Sequence, residues 1–124
     1  MVELNHKLGE MIFDGLISGT LPPVQIGGGK IGKLSEEGTI KRGTVLEKGE
    51  DGKLAVLGSG EGTPDCILCD DLDVGTEDDE TVAVYTAGCF DPDFLTVADG
   101  YTLTDADIDA LRIRGIVLKN KTNL

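Results

Sequence analysis

Only one stretch of this chain carries both a start and a stop signal for a helix. Thr104 suits an N-cap, Asp105, Asp107 and Asp109 fall in the first turns, Arg112 and Arg114 lie near the end, and Gly115 follows where a left-handed residue is favoured. Elsewhere long helices are discouraged, because 18 of 124 residues are glycine and glycine is a poor helix former. The chain is therefore expected to be mainly β with one short α-helix. Aromatic residues make up only 4% and tryptophan is absent, so aliphatic side chains must fill the core. At this length the area scaling gives burial of roughly two thirds of the extended-chain surface, enough for one core.

The strand signals begin at Gly38. Gly43–Glu47 and Lys53–Leu57 flank Gly49-Glu50-Asp51-Gly52 and together read as a hairpin with a glycine-containing loop. Asp65–Cys69 is a short apolar run after Pro64. Thr81–Thr86 is β-branched and apolar, and Cys89-Phe90 continue it past Gly88, which marks a kink or bulge. Ile116-Val117-Leu118 closes the chain as a strand after the helix. No internal repeat is present.

The first 35 residues differ. They hold seven of the glycines, few acids and a scatter of apolar side chains. Met11 to Ile17 suits a turn or two of helix, Pro22-Pro23 forces extension, and Gly27-Gly28-Gly29 reads as flexible. Two regions are expected: a flexible N-terminal arm over 1–35, extended and carrying apolar anchors, and a β-rich domain over 36–124. The competing reading makes this segment a strand on the chain's own core.

Charge limits the partners. With 11 Lys+Arg against 23 Asp+Glu the formal net charge is −12, which lacks the basic footprint of a nucleic-acid binder. No apolar run is long enough to span a membrane, and no basic face suits a membrane surface. Met1 to Gly9 does not read as a secretory signal. Between Leu54 and Leu111 there are 15 acids and no Lys or Arg, whereas bases cluster from Lys30 to Lys53 and from Arg112 to Lys121. Such asymmetry favours contact between oppositely charged faces, within the chain or with a partner.

The chemical motifs are near misses. Gly27-Gly28-Gly29-Lys30-Ile31-Gly32-Lys33 has the glycine and lysine spacing of a phosphate-binding loop, but Leu34 stands where a hydroxyl is needed. Cys66 and Cys69 have metal-knuckle spacing without two further suitable ligands. On a strand they face opposite sides and suit two buried core positions. Asp105-x-Asp107-x-Asp109 fails as a calcium loop at its sixth and twelfth positions, Ala110 and Ile116, and is better explained as acids at a helix N-terminus. The acidic stretch from Asp70 to Glu80 reads as a solvated loop with scope for weak calcium binding. His6 is the single histidine and no nucleophile elbow exists, so no catalytic residue, cofactor or metal ligand is assigned and an enzyme is not expected.

Two resemblances follow from local sequence. Gly38–Leu46 resembles the strand entry of biotinyl and lipoyl carrier domains, although the hairpin tip Glu50-Asp51-Gly52 offers no lysine for attachment. A second resemblance covers most of the chain. His6-x-x-Gly9-Glu10-x-Ile12, Arg42-Gly43-Thr44-Val45-Leu46, Ile67-Leu68-Cys69-Asp70-Asp71 with Asp73-Val74, Val82–Gly88 leading through Phe90 to Leu95-Thr96-Val97, and Leu111-Arg112-x-Arg114-Gly115-Ile116-Val117-Leu118 occur in the order found in bacteriophage head decoration proteins of the lambda type. The chain resembles that family.

The resemblance implies a small β-barrel-like (β-tulip-like) domain with an extended N-terminal arm. It implies a virion protein, made in the host cytoplasm, that forms a homotrimer on the outer capsid surface at three-fold positions. Its partner would be the major capsid protein, and it would cement the expanded head. Met11, Ile12, Phe13, Leu16 and Ile17 are the candidate capsid-binding residues, their segment adding to a capsid sheet edge. The alternatives are a calcium- or metal-binding β-module and a carrier- or sugar-binding small barrel within a larger assembly.

Overall fold

The longest strand, Glu80–Phe90, organises the whole fold by changing partners along its length. The computed structural model describes residues 15–34, 36–59 and 62–119. In chain order the elements are β1 (Ile17–Gly19), β2 (Gln25–Ile31), β3 (Gly38–Ile40), β4 (Val45–Lys48), β5 (Leu54–Val56), β6 (Thr63–Leu68), β7 (Leu72–Val74), β8 (Glu80–Phe90), a 3₁₀ turn (Pro92–Phe94), α1 (Asp105–Arg114) and β9 (Ile116–Leu118). The first eight residues of β8, from Glu80 to Ala87, lie antiparallel to β2, and Val84 and Tyr85 among them pair antiparallel with β6. Its last three residues pair instead with β1 and, in parallel, with β9. Gly88 sits at the switch with φ +147°, and a Cβ there would lie 2.9 Å from the Phe90 ring and 3.2 Å from Val24.

Five strands close into a barrel. β2 pairs with β8 and in parallel with β5, β5 with β4, β4 with β6, and β6 returns to β8. Alternation separates two cores. Ile31, Leu46, Leu54, Cys66, Leu68, Val82 and Val84 form one cluster, which takes the enclosed side. The separate two-stranded ribbon of β3 and β7 adds Ile40 and Val74 to it. Val45, Ile67 and Tyr85 face the opposite way and join Leu16, Leu57, Phe90, Leu111 and Ile116 in the second cluster. That outer core lies beneath α1, whose Leu111 is fully buried.

The helix forms as its sequence dictates. Thr104 caps it, Asp107 completes a reciprocal capping box, and Gly115 ends it at φ +100°. The β4–β5 hairpin, the β6 run, the bent β8 and the closing β9 also occur where the strand signals fall. The mainly-β class with one helix and a small barrel is correct.

Two segments differ from their local reading. Gly27-Gly28-Gly29 belongs to β2, which keeps a seven-residue register with β8 apart from one irregularity at its start. Strands β1 and β2 thus fall inside the 1–35 span read as arm. The reason is close approach: a Cβ on Gly29 would lie 2.5 Å from Leu54 Cδ1, and one on Gly27 3.0 Å from Thr86 Cγ2. The same placement leaves no strand–loop–helix unit for a phosphate. The acidic stretch 70–80 is not wholly loop either, since β7 lies within it and pairs with β3.

Candidate interaction surface

The five residues proposed as anchors divide at Gly15. Met11, Ile12 and Phe13 lie outside the described residues. Leu16 is 2% exposed and belongs to the outer core, with Ile17 packed against it. Its carbonyl accepts a hydrogen bond from the Asp91 amide at 2.8 Å. Leu16 thus packs within the outer core, and Ile17 lies in β1, where it pairs with Phe90. Sequence spacing could not separate them from Met11–Phe13, because all five are apolar and no turn signal stronger than Gly15 divides them.

At the point where residues 1–14 join the described fold, Gly15 has φ +90° and the Phe94 ring stands 2.9 Å from where its Cβ would lie. Phe94 is half exposed. The 3₁₀ turn presents it: Asp91 caps that turn by accepting from the Asp93 amide at 2.9 Å, and Pro92 fixes its first residue. Leu21, Ile26 and Ile113 are further large apolar side chains exposed at the surface. Phe94, beside Gly15, is an exposed aromatic side chain that the sequence reading did not single out, although the Asp-Pro-Asp turn precedes it.

The charged residues close on one another within the chain. Lys53 pairs with Asp79 at 2.9 Å, and Asp79 also accepts from the Lys33 amide at 2.9 Å. The hydrogen bond from Lys53 holds the Asp79 carboxyl below its ordinary range, and the same bond raises the lysine. Asp71 accepts from the Arg42 amide at 2.7 Å, and Asp65 pairs with Arg114 at 2.8 Å. The Arg42 guanidinium donates to the Cys69 carbonyl at 2.8 Å and to the Tyr85 hydroxyl, with its carbon 5.3 Å from the Tyr85 ring centre. Lys53–Asp79 thus joins the basic 30–53 stretch to the acidic 65–80 stretch, and the Lys33 and Arg42 amides add backbone hydrogen bonds between them.

Buried polar groups have structural partners. Glu47, 4% exposed, accepts from the Gly58 and Gly62 amides, each at 3.0 Å. Cys66, within β6, and Cys69, just past its end, lie in different cores. Burial pushes the Cys66 thiol well up and that of Cys69 to about 11. Among the described residues no three His, Cys, Asp or Glu side chains gather as a metal site, and no helix is long and apolar enough to cross a membrane. The β4–β5 turn carries Glu50 and Asp51 between Lys48 and Lys53.

Taken together, the described residues form a small closed barrel whose outer wall is roofed by one helix, a mainly β module. The chain belongs to the bacteriophage lambda head decoration protein D family, which it matches over residues 15–116. Its role is accordingly phage head decoration. No curated protein matches the chain.

Proposed function

We propose that this protein binds the outer surface of an icosahedral phage capsid as a homotrimer at three-fold positions, contacts the major capsid protein, and stabilises the expanded head without catalysing a reaction. The observation that carries the reading is the family match over residues 15–116, spanning the barrel, the roofing helix and the start of the closing strand. Residues 1–14 form the capsid-binding arm, with Met11, Ile12 and Phe13 as its apolar anchors. Leu16 and Ile17 root that arm in the outer core, which supports a rigid base at Gly15. Three arms per trimer multiply weak single contacts into strong avidity.

The test is deletion of residues 1–14, which spares Leu16 and β1. The expected outcome is a domain that melts as the full chain does but no longer decorates undecorated, expanded heads in a sedimentation assay. Normal decoration by the truncated protein refutes the arm. Light scattering across a dilution series reads the oligomer: a constant mass of three chains supports a preformed trimer.

A further inference from the structure

The sequence contains three Asp-Gly pairs, at 14–15, 51–52 and 99–100. Asp14 lies outside the described residues. The other two occupy turns of opposite character. An Asp-Gly pair is chemically special because the glycine nitrogen carries no neighbouring Cβ to obstruct its approach to the aspartate side chain, and glycine permits the backbone rotation that approach requires.

At 51–52 both reacting groups are held. The Gly52 amide donates to the Gly49 carbonyl at 3.0 Å, and Asp51 Oδ1 accepts from the Lys53 amide at 3.0 Å. The Gly49 amide in turn donates to the Lys53 carbonyl at 2.9 Å, which closes the hairpin around them. At 99–100 the turn is closed only outside the pair, by the Tyr101 amide donating to the Ala98 carbonyl at 3.0 Å. Gly100 has φ +80°, as the third residue of a type II turn requires. Asp99 and Gly100 are both exposed, and nothing lies within 4 Å of where a Gly100 Cβ would be. Among the described residues no hydrogen bond holds the Gly100 amide or the Asp99 carboxylate.

We propose that Asp99-Gly100 is a site of spontaneous succinimide formation and isoaspartate accumulation in the folded protein, and that the fold protects Asp51-Gly52 from the same reaction. The Gly100 nitrogen attacks the side-chain carboxyl carbon of Asp99. A C–N bond forms, the carboxyl C–OH bond breaks, and the hydroxyl leaves as water with the amide proton. Water then reopens the ring. Attack at the side-chain carbonyl restores aspartate, and attack at the backbone carbonyl leaves the chain running through the side chain. The reaction needs only water.

The product has a defined structural effect. An extra methylene enters the backbone between Ala98 and Tyr101. Tyr101 is packed so close to Gly58 that a Cβ there would lie 2.5 Å from its ring, and its hydroxyl donates to Asp107. Isoaspartate at 99 therefore pulls on the cap of α1.

The experiment ages the full-length protein in heavy-oxygen water at neutral pH, folded in one arm and guanidinium-unfolded in the other. Each passage through the imide leaves heavy oxygen in the residue. Trypsin separates the sites, because Asp51 falls in Gly49–Lys53 and Asp99 in Leu54–Arg112, a stretch without internal Lys or Arg. Fragmentation then locates the label. The expected result is several-fold more label at Asp99 than at Asp51 in the folded protein, with the contrast collapsing on unfolding. Equal or greater label at Asp51 in the folded protein overturns the proposal. So does a folded protein unlabelled at both sites, or a contrast that persists unchanged in the unfolded chain.

Discussion

The Tyr101 hydroxyl donates to the Asp107 carboxylate, and this bond ties the loop before α1 to the third residue of the helix. The same carboxylate accepts from the Thr104 amide at 3.1 Å, while the Asp107 amide donates back to Thr104 Oγ1 at 3.1 Å. Burial works against the charge on Asp107, but the hydrogen bonds from Tyr101 and Thr104 outweigh it and hold the carboxyl below its ordinary value. A carboxylate lowered in the folded state adds stability above its unfolded pKa and loses it as pH falls through the folded value. Thr104→Ala is expected to cost about 1 kcal/mol in urea unfolding at neutral pH. Asp107→Asn should lose most at neutral pH, and its difference from the parent should shrink as the solution is acidified below the carboxylate range. Unfolding free energies measured as a function of pH check both. A difference that grows on acidification would mean that the charge on Asp107 is not what stabilises the cap.

Gly29 and Leu54 share one space on the enclosed side of the barrel, with 2.5 Å between the missing Cβ and Leu54 Cδ1. Gly29→Ala forces the buried leucine off its position and is expected to cost about 1–3 kcal/mol, the usual range for overpacking. Leu54→Ala leaves a cavity and should cost about 2–5 kcal/mol. Because the added methyl enters the room vacated by the leucine, the double variant should be less destabilised than the two single losses combined. Denaturant unfolding of the four proteins of this cycle measures that coupling.

The three cysteines should behave as core atoms. Cys66, Cys69 and Cys89 are all free and buried, and burial raises the first two thiols away from the thiolate that would react. Mixed with a chromogenic disulfide at mildly alkaline pH, the native protein is expected to release almost no colour on the timescale at which the unfolded chain titrates all three. Fast reaction of one thiol in the native state would show that its core opens locally.

How much of this was legible in sequence depended on whether each signal was local. The helix could be read because Thr104, Asp107 and Gly115 act within a few residues of one another. The hairpin of β4 and β5 could be read because a glycine turn separates two apolar runs. β2 could not: three of its seven residues are glycine, so it has no side-chain alternation, and the reason for Gly27 and Gly29 lies on distant strands, at Thr86 and Leu54. β7 was hidden because Leu72-Asp73-Val74 sits among acids whose partners, Thr39 and Arg42, come from about thirty residues earlier. The interaction surface was least legible. Apolar character marks Met11 through Ile17 alike, and only the fold shows Leu16 in the outer core with Ile17 packed against it.

The placement of Leu16 in the core sets up a contrast that mutation can read. Leu16→Ala removes a side chain that is 2% exposed and packed in the outer core, so it should cost about 2–5 kcal/mol and lower the melting temperature. If residues 1–14 are the capsid-binding arm, Ile12→Ala and Phe13→Ala should leave the melting temperature unchanged and weaken decoration of expanded heads instead. Because each trimer would carry the change three times, a small loss per arm multiplies, and the decrease in affinity should exceed that of one substituted arm in a mixed trimer. Thermal melting and a head-binding titration on the same three variants separate the two roles. Were Ile12→Ala and Phe13→Ala to lower the melting temperature as Leu16→Ala does, with binding of the surviving folded protein intact, the outer core would extend past Gly15 and the capsid contact would have to be sought on the domain itself, beginning at Phe94.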